Sequence, residues 1–198
     1  MSPIISTIAG ASARGYGFGV GSAAGAFESI YSSVVGVGTS SLVEFSGIPS
    51  TYQHLRLHIV ARSTRTGVGG DLLDIRFNDS TTGYYDHVLQ NVNGSISNDQ
   101  NLNTQTHIDI QRVPSVQNSA NVFGGFTIDI PDYASGSKVK SLLSKSGAAS
   151  DSDPASNQVT LGSAFWNNTN AINKISVRSS YGDNFVQYST FALYGWKG

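Results

Sequence analysis

Between Tyr52 and Ala61 the side chains alternate, with Leu55, Leu57, Ile59 and Ala61 on one side of an extended chain and His54, Arg56, His58 and Val60 on the other. This pattern predicts a half-buried β-strand whose second face is basic and solvated. Similar short runs predict strands at Leu72 to Phe77, Tyr84 to Val92, Thr104 to Ile110, Val122 to Ile130, Val139 to Leu143, Val159 to Phe165, Ile172 to Val177 and Phe185 to Tyr194. Ser29 to Val37 and Ser40 to Phe45 read as a strand pair around Gly36-Val37-Gly38-Thr39, and Ile48-Pro49-Ser50 forces a break. Turn formers separate the runs at Gly67 to Gly70, Asn78 to Gly83, Asn93-Gly94-Ser95, Pro131 to Gly136 and Asp151 to Pro154. With roughly ten strands and no amphipathic helix, the expected fold is all-β: an antiparallel β-sandwich of jelly-roll type.

The first 27 residues differ, carrying six Gly and six Ala, and Gly15-Tyr16-Gly17-Phe18-Gly19-Val20-Gly21 alternates strictly. Extended, this stretch places Tyr16, Phe18 and Val20 on one face and only glycine hydrogens on the other. A plain linker has little use for Tyr16, Phe18 and Phe27, so the expected organisation is an N-terminal attachment arm over 1–28 and a β-sandwich domain over 29–198. The four apolar residues Tyr16, Phe18, Val20 and Phe27 are the candidate assembly contacts. Their expected mode is addition of a strand to the sheet edge of a neighbour in a homo-oligomer, a trimer being one such arrangement.

Composition narrows the partners. Only 13% of the 198 residues are charged, whereas Ser, Thr and Asn fill 57 positions, so the surface is polar but sparsely charged. Such surfaces suit protein packing or sugar binding. A net charge of −1 offers no footprint for nucleic acid or for an anionic membrane. The absence of cysteine excludes disulfides and thiolate chemistry. Met1-Ser2-Pro3-Ile4-Ile5 lacks the basic start and unbroken apolar stretch of a signal peptide, so synthesis and assembly in the cytoplasm are expected, with no membrane insertion.

Ile48 to Leu55, Ile75-Arg76-Phe77-Asn78, Phe123-Gly124-Gly125-Phe126 with Ile130-Pro131-Asp132-Tyr133, and Phe191 to Gly195 resemble a module that recurs in virion proteins of tailed bacteriophages. Ile8 to Gly17 is similar to a leader often joined to that module, notably in phages of cyanobacteria and marine bacteria. The resemblance spans most of the chain and implies a virion component of tail-fibre, appendage or capsid-decoration type. Its partners would be further copies of the chain and a capsid or tail protein, with the virion as location.

No chemistry-bearing motif competes strongly. Gly19 to Ala24 formally matches a dinucleotide fingerprint, but alternating glycines precede it where a hydrophobic strand is required. His54 and His58 would lie about 13 Å apart in a strand, too far to share a metal unaided. Only Glu28 and Glu44 supply glutamate, so a hydrolytic pair would draw on aspartates such as Asp71, Asp74, Asp86, Asp109 or Asp129, of which Asp109 and Asp129 sit at outward strand positions, while Asp79, Asp132, Asp151 and Asp153 sit in turns. The expectation is therefore no enzyme, no metal and no cofactor. Trp166-Asn167-Asn168-Thr169-Asn170, Tyr181-Gly182-Asp183-Asn184 and Tyr84-Tyr85-Asp86 have the composition of a sugar site, an aromatic plate beside amides and a carboxylate. They support the alternative function, a host-surface glycan adhesin at a fibre tip. Against it stands the ordinary role of large aromatics in closing the ends of a sandwich core.

Overall fold

The computed structural model describes residues 27–109, 112–149 and 157–197. The alternation in β4 (His54–Ala61) is realised as expected: Leu55, Leu57, Ile59 and Ala61 are all buried to 1% exposure or less. β4 is held between β14 (Thr190–Trp196) and β9 (Gly124–Pro131), both antiparallel to it. Leu57 lies opposite Leu193 on one side and Ile128 on the other, so three strands distant in sequence supply one layer of the core.

The described residues form fourteen strands in an antiparallel sandwich. The remaining strands are β1 (Phe27–Val34), β2 (Thr39–Ser40), β3 (Val43–Ser46), β5 (Gly70–Phe77), β6 (Tyr84–Val92), β7 (Ser95–Gln105), β8 (Arg112–Pro114), β10 (Lys140–Ala148), β11 (Gln158–Trp166), β12 (Lys174–Ser179) and β13 (Phe185–Val186). One sheet runs β1-β14-β4-β9-β10-β11-β6-β7 and the facing sheet β3-β12-β5-β8, with β2 and β13 paired separately. Setting aside β6–β7, β10–β11 and the β2–β13 pair leaves eight strands, which we renumber one to eight in chain order. The two layers then read 1-8-3-6 and 2-7-4-5, the strand order of a jelly roll. The two additional hairpins extend the first layer beyond β9.

Three details depart from the sequence pattern. Ser29–Val37 and Ser40–Phe45 do not pair: β1 pairs with β14 and β3 with β12, because a jelly roll sends consecutive strands to opposite layers. The segment expected as a strand at 104–110 ends its pairing with β6 at Gln105, and Ile108 bridges to Ile75 in the other layer. In its place the polar run Ser95–Gln105 is a strand, returned by Asn93-Gly94, whose φ values of 50° and 82° form the two-residue turn that matches strand twist. Phe185–Tyr194 is split, with Tyr188 at φ 71° between β13 and β14. The domain also begins earlier than expected. Phe27 and Glu28 already pair with Trp196 and Gly195, so Phe27 is a strand residue of the sandwich.

The outer face of β4 is less solvated than its composition suggests. Arg56 forks onto Asp129 at 2.6 and 3.0 Å, and its guanidinium lies 5.4 Å from the Trp196 ring centre and 5.8 Å from that of Phe27. The Asp129 hydrogen bond raises the Arg56 pKa. His54 Nδ1 accepts the backbone N–H of Asp132 at 3.1 Å.

Beyond β9 the sandwich turns inside out. Opposite Ile128 and Phe126, the core residues of β9, stand Ser144 and Ser146 of β10, and opposite these stand Gly162 and Thr160 of β11. The inward face therefore carries Ser144, Ser146, Thr160 and Gln158, all buried, together with Lys140, whose ammonium donates to the carbonyls of Ser135, Lys138 and Thr169. Burial pushes the Lys140 pKa down. Leu142, Ala164 and Trp166 stay in the core at one end of the same strands, whereas Leu143, Val159, Leu161 and Phe165 point the other way.

Candidate functional site

The sugar-site residues are not brought together. Trp166 ends β11 at 2% exposure, its ring against Tyr84 at 6.1 Å and Phe77 at 6.0 Å and its indole N–H donating to Ser80 Oγ. It is core, so the expectation of an aromatic plate at Trp166 is corrected. Burial pushes the neighbouring Tyr84 hydroxyl up to about 12. Asn167 and Asn168 make turn bonds: the Asn167 N–H donates to Gly83 O, and Asn168 Oδ1 accepts from the Asn170 N–H. Tyr181 is 57% exposed, but the Arg65 guanidinium lies 3.5 Å from its ring centre and covers one face. Arg65 also reaches the Gly70 carbonyl and the buried Asp71 carboxylate, which places Tyr181 beside the start of β5, while Trp166 packs at its end. Eight residues of strand, about 23 Å, separate the two. Asn184 exchanges hydrogen bonds with Thr64, and Asp183 lines a shallow hollow with Leu42 and Arg178. Of the arm residues, Tyr16, Phe18 and Val20 lie outside the described residues. Phe27 stacks on Tyr194 at 4.7 Å and meets Trp196 edge-on at 6.0 Å.

One cluster of titratable side chains was not singled out as a group by sequence, because its members come from two separate segments, 106–109 and Ser180. His107 Nε2 lies 3.3 Å from Ser180 Oγ and 3.8 Å from Asp109 Oδ2, and Ser180 Oγ also donates to Asp109 Oδ2 at 3.1 Å. His107 Nδ1 pairs with the Thr106 hydroxyl at 2.9 Å. The Asp109 carboxylate raises the His107 pKa against an opposing effect of burial. Next to it, burial raises the Asp86 pKa although Asn101 donates to its carboxylate at 2.7 Å. A hydrolytic triad needs the serine and the carboxylate on opposite ring nitrogens. Here both share Nε2, and the serine proton already goes to the carboxylate. This arrangement ties Ser180, just past β12, to the 106–109 segment; it does not prepare a nucleophile. Among the described residues no group of three His, Asp or Glu is placed to hold a metal ion.

The feature with the largest extent is the outer face of the extension, β10-β11-β6-β7. Leu143, Leu161, Leu89, Val159, Ile96 and Phe165 project from it, exposed by 52, 50, 47, 67, 75 and 40%. Leu161 and Leu89 are direct cross-strand partners at its centre. Phe165 and Tyr85 stack at 4.6 Å with rings 7° apart, beside an open hollow of about 460 Å³ that His87, Ser141 and Ser163 also line. Antiparallel sheets with one solvated face normally read hydrophobic-in and polar-out. These strands do so only in part: their outer face places these six large apolar side chains among Ser141, Lys145, Ser163, His87, Asn91, Asn98 and Gln100. The sequence did carry a signal for it, the run of Val159, Leu161 and Phe165 on one parity and Gln158 and Thr160 on the other, but not which parity faces inward.

Searched against known protein families and curated proteins, the chain matches none.

Proposed function

We propose that the chain is a non-enzymatic structural component of a tailed-phage virion, decorating the capsid or forming a short appendage, and docked to the particle through its N-terminal arm. The observation that carries this reading is the outer face of β10, β11, β6 and β7, where six large apolar side chains stand 40 to 75% exposed on one side of a sheet. Two further points support it: the resemblance of the sequence to virion modules, and a fold that serves capsid and lectin domains alike. Fold alone does not choose between those two. The buried Trp166 and the covered Tyr181 weigh against the glycan-binding alternative.

The test is assembly in the phage that encodes the protein. Purified particles should label with antibody against residues 27–198, and replacing Tyr16 and Phe18 with Ser should leave a folded protein that no longer enters particles. Unlabelled particles would overturn the virion assignment, and normal incorporation of the double variant would overturn the role of the arm.

A further inference from the structure

We infer that the apolar outer face of β10-β11-β6-β7 is the contact surface for a second copy of this chain, the two faces packing on one another about a two-fold axis. The inference rests on the reading of the chain as an assembly protein and supplies the partner and the surface.

Three observations commit the face to this occupant. The first is its construction: Leu161 and Leu89 pair directly across adjacent strands at the centre, with Leu143, Val159 and Phe165 at neighbouring outward positions, while the reverse side behind them carries Ser144, Thr160 and Gln158. A sheet with an apolar face of this kind is half of a sandwich, and the matching half is another apolar sheet face packed about 10 Å away.

The second is size. Four strands about 4.8 Å apart and seven residues at about 3.3 Å each make a face roughly 19 by 23 Å, over 400 Å² in projection. Counted over its corrugated accessible surface, such a face approaches the ~800 Å² per partner of a standard stable interface. A single added strand would cover only the margin of it, so the Tyr16-Phe18-Val20 stretch does not fill the face.

The third is charge. Among outward positions on these strands Lys145 alone carries a full charge, and its cross-strand neighbours are Leu161 and Thr127. A two-fold contact brings each residue type against its own surface, which a charged face resists and this one permits. Among the described residues of these strands Lys145 is the one outward cation, too few to draw the face to an anionic membrane.

The experiment is native mass spectrometry and light scattering of the full chain from low to high micromolar concentration. Leu89→Glu and Ile96→Glu serve as test variants, neither having a cation as cross-strand partner, and Val37→Glu, a change at a 98% exposed residue off the face, as control. Wild type and the control should form dimers, or multiples of a dimer. Each test variant should keep the wild-type circular dichroism and thermal transition but dissociate with a constant raised on the order of a hundredfold or more, since a carboxylate would be buried without a partner. A monomeric wild type, or test variants that associate as tightly as wild type, would overturn the inference. So would association lost on Tyr16→Ser and Phe18→Ser but kept in the test variants, which would give the contact to the arm. A protein that pairs in solution yet never enters particles fails the virion reading and keeps the pairing; one that enters particles while remaining monomeric does the opposite.

Discussion

Gly195 sits in β14 opposite Leu55 of β4 and Glu28 of β1, on the core side of the sheet. The Tyr52 ring lies directly over it: a β-carbon at position 195 would fall within contact range of Cγ and both Cδ atoms far below any allowed separation. Gly195→Ala must therefore displace Tyr52. That ring closes one end of the core, its hydroxyl donates to Glu28 at 3.0 Å, and the Lys197 ammonium lies 5.6 Å from its centre. Overpacking of this kind costs about 1–3 kcal/mol. If the ring swings out instead, the lost hydrogen bond and lost burial amount to about 1 kcal/mol each. Against this, Ala is favoured over Gly in a strand by about 0.5–1 kcal/mol. The net expectation is a loss of about 1–2 kcal/mol, or a melting temperature lower by about 2–8 °C for a chain of this length. Thermal and urea denaturation of Gly195→Ala, Tyr52→Ala and the double variant measure it. In the Tyr52→Ala background the same glycine substitution should be neutral or slightly stabilising. A Gly195→Ala chain that melts at or above the wild-type temperature, or an equal loss in both backgrounds, would refute the reasoning.

On β4, Leu57→Ala should cost about 3–5 kcal/mol in urea unfolding, because it opens a cavity between Leu193 and Ile128. Arg56→Ala should cost about 1–2 kcal/mol, more than a free surface arginine, since it loses a third-exposed bidentate ion pair and two ring contacts; a cost indistinguishable from zero would mean the outer face is solvated after all. Trp166→Ala should destabilise by about 3–5 kcal/mol, whereas Tyr181→Ala should cost no more than about 1 kcal/mol, and a well-folded Trp166→Ala chain would return that residue to the surface. His107 has a folded pKa above its usual 6.5, so its stabilisation is complete below that value and fades as pH rises through the folded pKa. Unfolding free energy measured across neutral pH should therefore fall with rising pH more steeply in wild type than in His107→Gln, and identical slopes would show that His107 is uncoupled from Asp109.

What the sequence determined by itself is local. The period of two in Leu55, Leu57, Ile59 and Ala61 identifies a strand and its buried side, because the opposite parity holds charged residues and leaves no ambiguity. The turn at Asn93-Gly94 is legible for the same reason: few residues tolerate positive φ at both positions. The count of short strands is enough to reach the sandwich class. Tertiary structure decided the remainder. Ser95–Gln105 has no hydrophobic alternation and becomes a strand only because β6 is there to pair with it. Trp166 is followed by Asn167-Asn168 and Tyr181 by Gly182-Asp183-Asn184, both turn-forming runs, yet one aromatic packs between Phe77 and Tyr84 and the other stands in solvent under Arg65. In β11 both parities are plausible from sequence, and the choice is made by register: Phe126 and Ile128 face the core, so Ser146 and Ser144 opposite them must also, and then Thr160 and Gly162. Alternation sets the spacing of side chains along a strand, whereas the face they occupy passes sideways through hydrogen-bonded neighbours that the chain reaches only after folding. The apolar surface on which the assembly reading rests is a product of that lateral inheritance, which is why the sequence pattern names its residues but not the side on which they stand.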